Sequence, residues 1–240
     1  MRRWAVRHAA VLLAVGACQF VPGALRGDAA GEDSTVAPYC DPNDPALIAC
    51  YQFEGNALDA SNHDLDAATM NVSYVTGKVG MAMQVGATSA ADVAENSALD
   101  PANITIEAWI KVPALPSAGS RMGILDNNGQ YGFFLLEAGN LRCAGSNTLD
   151  QTSGSITVDV WHHVACVHNG NTSTLYADGV VVDTGSGGGN LATGGTTGIS
   201  LAADNPPGAG DQLIGLIDEL RILNVARTTT EICEDAGACP

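Results

Sequence analysis

The sequence predicts an all-β, antiparallel protein, and three observations carry that expectation. A turn-punctuated meander runs from Trp161 to Val182, WHHVACVHNGNTSTLYADGVVV. The stretch from Ile104 to Val112 alternates strictly, with Ile104, Ile106, Ala108, Ile110 and Val112 on one face. Turn formers abound, with 28 glycines in 240 residues, a length that suits one sandwich or barrel plus a leader. Within the meander, the apolar-rich runs Trp161–His168 and Ser173–Asp178 flank the polar turn Asn169–Thr172. Asp178-Gly179 then turns the chain into Val180–Val182, because a type I′ hairpin turn needs positive φ and Gly supplies it without steric cost.

Taken in order, the chain opens with a basic start, an apolar run from Ala9 to Val15, and Gly16-Ala17-Cys18. That is the pattern of a short secretory signal over 1–17, and the run is too short to span a bilayer as a helix. Val15-Gly16-Ala17-Cys18 resembles a bacterial lipobox, which implies lipidation of Cys18 and anchorage at the outer membrane or cell surface. An ordinary cleaved signal with an incidental cysteine, and simple secretion, is the alternative. Residues 18–38 are rich in Gly, Ala and Asp without periodicity and suit a flexible tether, so the folded domain is expected over 39–240.

Asp41-Pro42-Asn43-Asp44-Pro45 is a constrained turn, followed by a first strand from Leu47 to Phe53 and turns at Glu54–Asn56 and Asp59–Asn62. A Gly77-x-x-Gly80 turn leads into Met81–Val85. Pro113 and Pro116 end the alternating strand, since proline donates nothing to a ladder. Gly123–Asp126, Tyr131–Glu137 and Leu141–Ala144 suit further strands, and Gly185–Gly198 suits a loop. Leu213–Leu223 forms a closing strand, and Thr228–Ile232 a short helix capped by Thr228 or Thr229 before Glu231.

Five blocks, from about Leu47 to Ile232, resemble laminin-G-like jelly rolls of the concanavalin A-like lectin/glucanase superfamily. They are the opening strand, the Gly-x-x-Gly turn, Ala108-Trp109-Ile110, the central hairpins with Leu175-Tyr176-Ala177-Asp178-Gly179, and Ile217-Asp218-Glu219-Leu220-Arg221. The resemblance implies an antiparallel two-sheet jelly-roll sandwich. It implies a function less sharply, since this fold serves lectins, adhesion modules and some enzymes. Its glycosidases carry a Glu-x-Asp-x-x-Glu triplet, which this chain lacks. The adjacent Asp218 and Glu219 point to opposite faces of a strand and do not flank one bond. The resemblance therefore implies a non-catalytic surface or secreted binding module, with carbohydrate or an extracellular protein as partner. A divergent glycan-active hydrolase or a structural envelope lipoprotein is the alternative.

Charge and cysteines narrow the classes. Asp and Glu number 26 against 10 Lys and Arg, a formal −16, and Arg2, Arg3 and Arg7 fall in the leader. No basic stripe remains to neutralise phosphates, so nucleic-acid binding is not expected. Six cysteines follow Cys18 with no CxxC, which favours three disulfides over a zinc site. Cys143 pairs with Cys166 across one sheet region. Cys40–Cys50 and Cys233–Cys239 close small loops, but pairs crossing the termini stay open, because the first and last strands of such a jelly roll are neighbours.

The resemblance also implies a calcium ion near the junction of those strands, held by Asp59 and Asp218 with oxygens from Asn56, Asn62 or the His63 carbonyl. The alternative is that Asp59 caps a turn and Asp218 pairs with Arg221. Asp183-Thr184-Gly185 is similar to an aspartic-protease box, but that mechanism needs two aspartates and the motif occurs once. His162 and His163 face opposite ways, and His63 and His168 lack ligand spacing. Trp109 and Trp161 occupy core positions by the resemblance, leaving Tyr74 and Tyr131 as free aromatics for a sugar. Cys18→Ser is expected to move the protein from the membrane fraction to the soluble exported fraction; unchanged membrane retention contradicts lipidation.

Overall fold

Alternation, hairpin turns and a capped helix organise the computed structural model, which describes residues 39–206 and 211–239; Cys18, the signal and the tether lie outside the described residues. In chain order the strands begin with β1 (Leu47–Tyr51), β2 (Ala67–Met70), β3 (Ser73–Thr76), β4 (Met81–Val85) and β5 (Ala90–Val93). They continue with β6 (Ile104–Lys111), β7 (Arg121–Asn127), β8 (Tyr131–Leu136), β9 (Leu141–Ala144) and β10 (Leu149–Asp150). The meander supplies β11 (His162–Asn169), β12 (Thr172–Ala177) and β13 (Val180–Ser186). Then come β14 (Ile199–Leu201), β15 (Gly215–Leu223) and the helix α1 (Thr229–Asp235).

Two antiparallel sheets face each other. The first runs β13-β12-β11-β6-β15-β4-β3, with β1 also paired to β15, and the second runs β10-β9-β8-β7-β14-β5-β2. A register shift between Asp218 and Arg221 lets β15 pair with β4 at one end and β1 at the other. The four expected inward residues of β6, and Val112 just after it, all join the core between the sheets, with Phe133, Leu135 and Ile217 opposite or beside them. Asp178 and Gly179 both adopt positive φ (49° and 76°), as the type I′ turn demands. The outgoing strand runs further than expected, to Ser186, so the loop starts later. Thr228 is the N-cap: its side chain accepts from the Glu231 N–H, and Glu231 reaches back to the Thr228 N–H at 2.7 Å. Disulfides join Cys40 to Cys50, Cys143 to Cys166 and Cys233 to Cys239.

The central part of the first sheet's outer face, over β11, β12 and the β1–β15 pair, is covered. Ile232 of α1 packs on Ala165, Val167 and Tyr176, and Tyr39, Cys40 and Ala46 pack on Leu47, Cys50 and Leu223. Between these patches lies Glu107, fully buried. Its Oε1 accepts from Arg221 Nη2 at 3.1 Å, and its Oε2 stands 3.3 Å from His163 Nε2. Arg221 in turn donates to the Tyr39 carbonyl at 2.9 Å, lies over the Tyr39 ring at 3.8 Å, and reaches Asp235 of α1. Arg227 joins at 3.5 Å from Glu107 and 2.6 Å from Asp235. Burial alone raises the Glu107 carboxyl, but Arg221, then His163, override it and hold it below its usual range.

Removing one partner of such a cluster strands the others without compensation. Glu107→Ala is expected to destabilise the fold by about 3–5 kcal/mol in urea unfolding; a loss under about 1 kcal/mol contradicts a structural role for the cluster.

Candidate functional site

The second sheet has a different outer face. Register places Gly123 against Phe134, Asp126 against Gly132, and Ser200 against both Asp126 and Asp92. Period-two alternation sends their inward neighbours Met122, Leu125, Phe133 and Leu135 into the core. Two glycines are needed here. A Cβ on Gly123 would strike the Ala203 backbone, because the segment after β14 crosses directly over β7. A Cβ on Gly132 would meet the Phe134 ring at 2.5 Å and Asp126 Oδ1 at 2.8 Å.

Beside this crossing lies a cleft of about 390 Å³ bordered by Arg121, Asp126, Gln130, Phe134, Asp204 and Asn205, with the small residues Ala144 and Gly145 between them. That volume falls within the ~300–1,000 Å³ span of small-ligand sites. Arg121 donates through Nε to Asp211 at 2.6 Å and through Nη2 to Asp204 at 2.9 Å, with its guanidinium 4.3 Å from the Phe134 ring centroid. The Asn205 N–H caps Asp126 Oδ2 at 2.9 Å. The Asp126 and Asp204 carboxyls hydrogen-bond to each other. Burial, then that bond, pushes Asp126 up to about 7. Asp204 is held below its usual range: burial opposes this, but the Asp126 bond and Arg121 prevail. The pair thus shares one proton below neutrality and offers donors and acceptors side by side, which suits a polyhydroxylated ligand.

The residues singled out from sequence lie elsewhere. Asp59 caps its turn: Oδ1 accepts from the Cys50 and Ser61 N–H groups at 2.9 Å each, and Oδ2 from Ser61 Oγ at 2.6 Å and Leu65 N–H at 3.0 Å. Asp218 Oδ2 accepts from the Lys78 and Val79 N–H groups at 2.8 and 2.9 Å, while Arg221 pairs with Glu107 instead. Asn56 caps the Leu58 N–H at 3.0 Å, Asn62 donates to the Pro42 carbonyl, and the His63 N–H donates to Ser61 Oγ at 3.2 Å. Among the described residues, no group of three or more His, Cys, Asp or Glu is placed to hold a metal ion.

Asp183 sits on the edge strand β13 and accepts from the Thr184 N–H at 2.8 Å. Tyr131 is not a free aromatic: it faces the core and donates to the Leu99 carbonyl at 3.0 Å, and Tyr74 packs partly buried against the same core. Trp109 is buried on the outer face of the first sheet, edge-on to His163 and under Lys78, rather than between the sheets. Trp161, one residue before β11, is only half-buried, so the core position inferred for it is corrected. His162 pairs through Nδ1 with Asp178 at 2.8 Å and accepts the Thr157 N–H at 3.1 Å, a turn-closing role.

Residues 85–233 match the family model described as the Concanavalin A-like lectin/glucanases superfamily. Among curated proteins none matches the sequence. Among solved structures, the chain is similar to domain 4 of AbnA, a GH43 extracellular arabinanase from Geobacillus stearothermophilus, in complex with arabinotriose. Identity is 20%, the TM-score is 0.66, and the match covers 80% of this chain and 98% of that one. The binding domain of Paraclostridial Mosquitocidal Protein 1 is similar at 19% identity and TM-score 0.64, over 80% of this chain and 52% of that one. Trypanosoma rangeli sialidase is similar at 17% and 0.58, over 78% and 32%. The chain thus spans about half of the toxin domain and a third of the sialidase, and at these identities the likeness is one of fold.

Four carboxyls bind protons more tightly folded than unfolded. Burial raises Asp126 to about 7, Asp218 to about 6, Glu219, next to Asp218, to about 8, and Asp235 above its usual range. Their contribution to stability is complete below their unfolded values near 4 and is lost as pH rises through those folded values. Glu107, Asp178 and Asp204 are lowered and act oppositely, losing stability only as pH falls below about 4. The Tm is therefore expected to peak in mild acid, near pH 5, and to fall toward pH 8, with a shallower fall in Asp126→Asn. A Tm that climbs between pH 5 and 8 contradicts this assignment.

Proposed function

The chain belongs to the Concanavalin A-like lectin/glucanases superfamily, and we propose that it serves as an exported, non-catalytic glycan-binding module whose site is the cleft on the second sheet. One observation carries this: the centre of the first sheet's outer face is covered by α1, the Tyr39 segment and the Glu107 cluster, and the pocket beside α1 is bordered by Val180, Val181 and Cys233, whereas the second sheet's carries an open polar cleft between small residues. A similar fold, domain 4 of the arabinanase, is recorded with arabinotriose, which supports an oligosaccharide as the ligand class. Three disulfides suit an exported protein, and lipidation at Cys18 would tether the module to the cell surface.

The Asp126–Asp204 pair invites comparison with a hydrolase. Retaining carboxyls stand about 5–5.5 Å apart and inverting ones about 6.5–9.5 Å, with the sugar bond between them. Asp126 and Asp204 instead adjoin closely enough to perturb one another, an arrangement that supports binding over cleavage. A protein partner remains the second candidate, and an oligosaccharide screen separates the two.

Neutral and acidic oligosaccharides titrated into the domain are expected to yield binding that Ala144→Trp, which fills the cleft from β9, weakens at least about tenfold without shifting Tm. Undiminished affinity in that variant contradicts the site. Calcium is tested in the same titration with chelator. Because N–H donors already occupy the Asp59 and Asp218 carboxylates, affinity is expected to be unchanged; loss of binding would give calcium a part.

A further inference from the structure

We infer that the cleft selects uncharged oligosaccharides and excludes those bearing a carboxylate, such as sialylated or uronate-containing chains. This deepens the glycan-binding proposal and rests on it. The charges facing the cleft from each bordering element decide the matter. β7 contributes Arg121 and Asp126, and the segment between β14 and β15 contributes Asp204 and Asp211. Across β8 from Arg121, Arg142 of β9 is engaged by Asp150 of β10, with Nε and Nη2 each 2.6 Å from a carboxylate oxygen. Residues 207–210, Pro-Gly-Ala-Gly, add no ionisable side chain.

Among the described residues, two guanidiniums therefore meet four aspartates. Arg121 has spent Nε on Asp211, Nη2 on Asp204 and its face on Phe134. Two of its five N–H donors are thus paired, and a ligand carboxylate reaching the others would still lie beside Asp204 and Asp211, which opposes like charge in a partly desolvated site. A hydroxyl meets no such barrier. It donates to Asp204, accepts from the amide of Asn128 at the rim, and needs no counter-ion. The formal charge of −16 opposes acidic ligands at longer range as well.

The test uses matched pairs on the whole protein: lactose against sialyllactose, and linear xylo-oligosaccharides against glucuronic-acid-substituted ones, by calorimetric titration. The neutral member of a bound pair is expected to bind at least about tenfold more tightly, a factor that shrinks when salt is raised about tenfold. Asp211→Asn, which frees Arg121 Nε, is expected to narrow the gap, and the salt series gives the same information if that variant folds poorly. An acidic member binding as well as its neutral partner overturns the inference while leaving glycan binding intact. Silence toward both members of every pair overturns the inference together with the glycan-binding proposal.

Discussion

A single buried carboxylate, Glu107 of β6, holds the architecture to its present plan. Its charge has no contact with solvent, so it must be matched by partners that arrive from elsewhere in the chain. Those partners are Arg221 of β15, His163 of β11 and Arg227 before α1, and through Arg221 the Tyr39 segment and Asp235 of α1. Satisfying one charge thus recruits three adjacent strands, the start of the described chain and its last helix. Hydrophobic burial would close the sandwich without it. The cluster fastens α1 and the Tyr39 segment onto the outer face of the first sheet.

The open face has its own constraint. Where the 202–206 segment crosses β7, glycine at 123 gives it clearance, and glycine at 132 leaves space above β8 for Asp126 and Phe134. The result concentrates perturbed carboxyls at one place, as functional sites tend to do. Asp126 and Asp204 are brought close enough to share a proton, a costly arrangement that neighbouring Arg121 and the Asn205 N–H make tolerable. The site gathers a guanidinium, two carboxyls and a backbone N–H around one crossing of the chain. It is a compact set of paired donors and acceptors.

Much of the fold was legible because its signals are local. Alternation in Ile104–Val112, the Asp178-Gly179 turn and the Thr228 cap each announce themselves within a few residues, whereas spacing left Cys40–Cys50 and Cys233–Cys239 open against pairs crossing the termini. The strands that escaped notice, β2, β3, β5, β10 and β14, are two to four residues long, several of them rich in alanine or serine, and are defined by their partners rather than by their own pattern. The cleft was illegible for the same reason. Asp126 and Asn205 are 79 residues apart, and only the β14–β7 register joins them. A search for carboxylates spaced along one strand, or for exposed aromatics, passes over a site built from small residues and distant aspartates. Asp59 and Asp218 were drawn from family resemblance, and each proves to be engaged by N–H donors, those of Asp218 lying inside the Gly77-x-x-Gly80 turn.

The central claim is that recognition occurs on the outer face of the second sheet. Mapping amide chemical shifts of the domain during titration with a bound neutral oligosaccharide tests it most directly. The account predicts that the largest changes fall on Asp126, Gln130, Phe134, Ala144 and Asn205, with the first sheet's outer face silent. Changes centred instead on α1, Gly179–Val181 or the Tyr39 segment would contradict it.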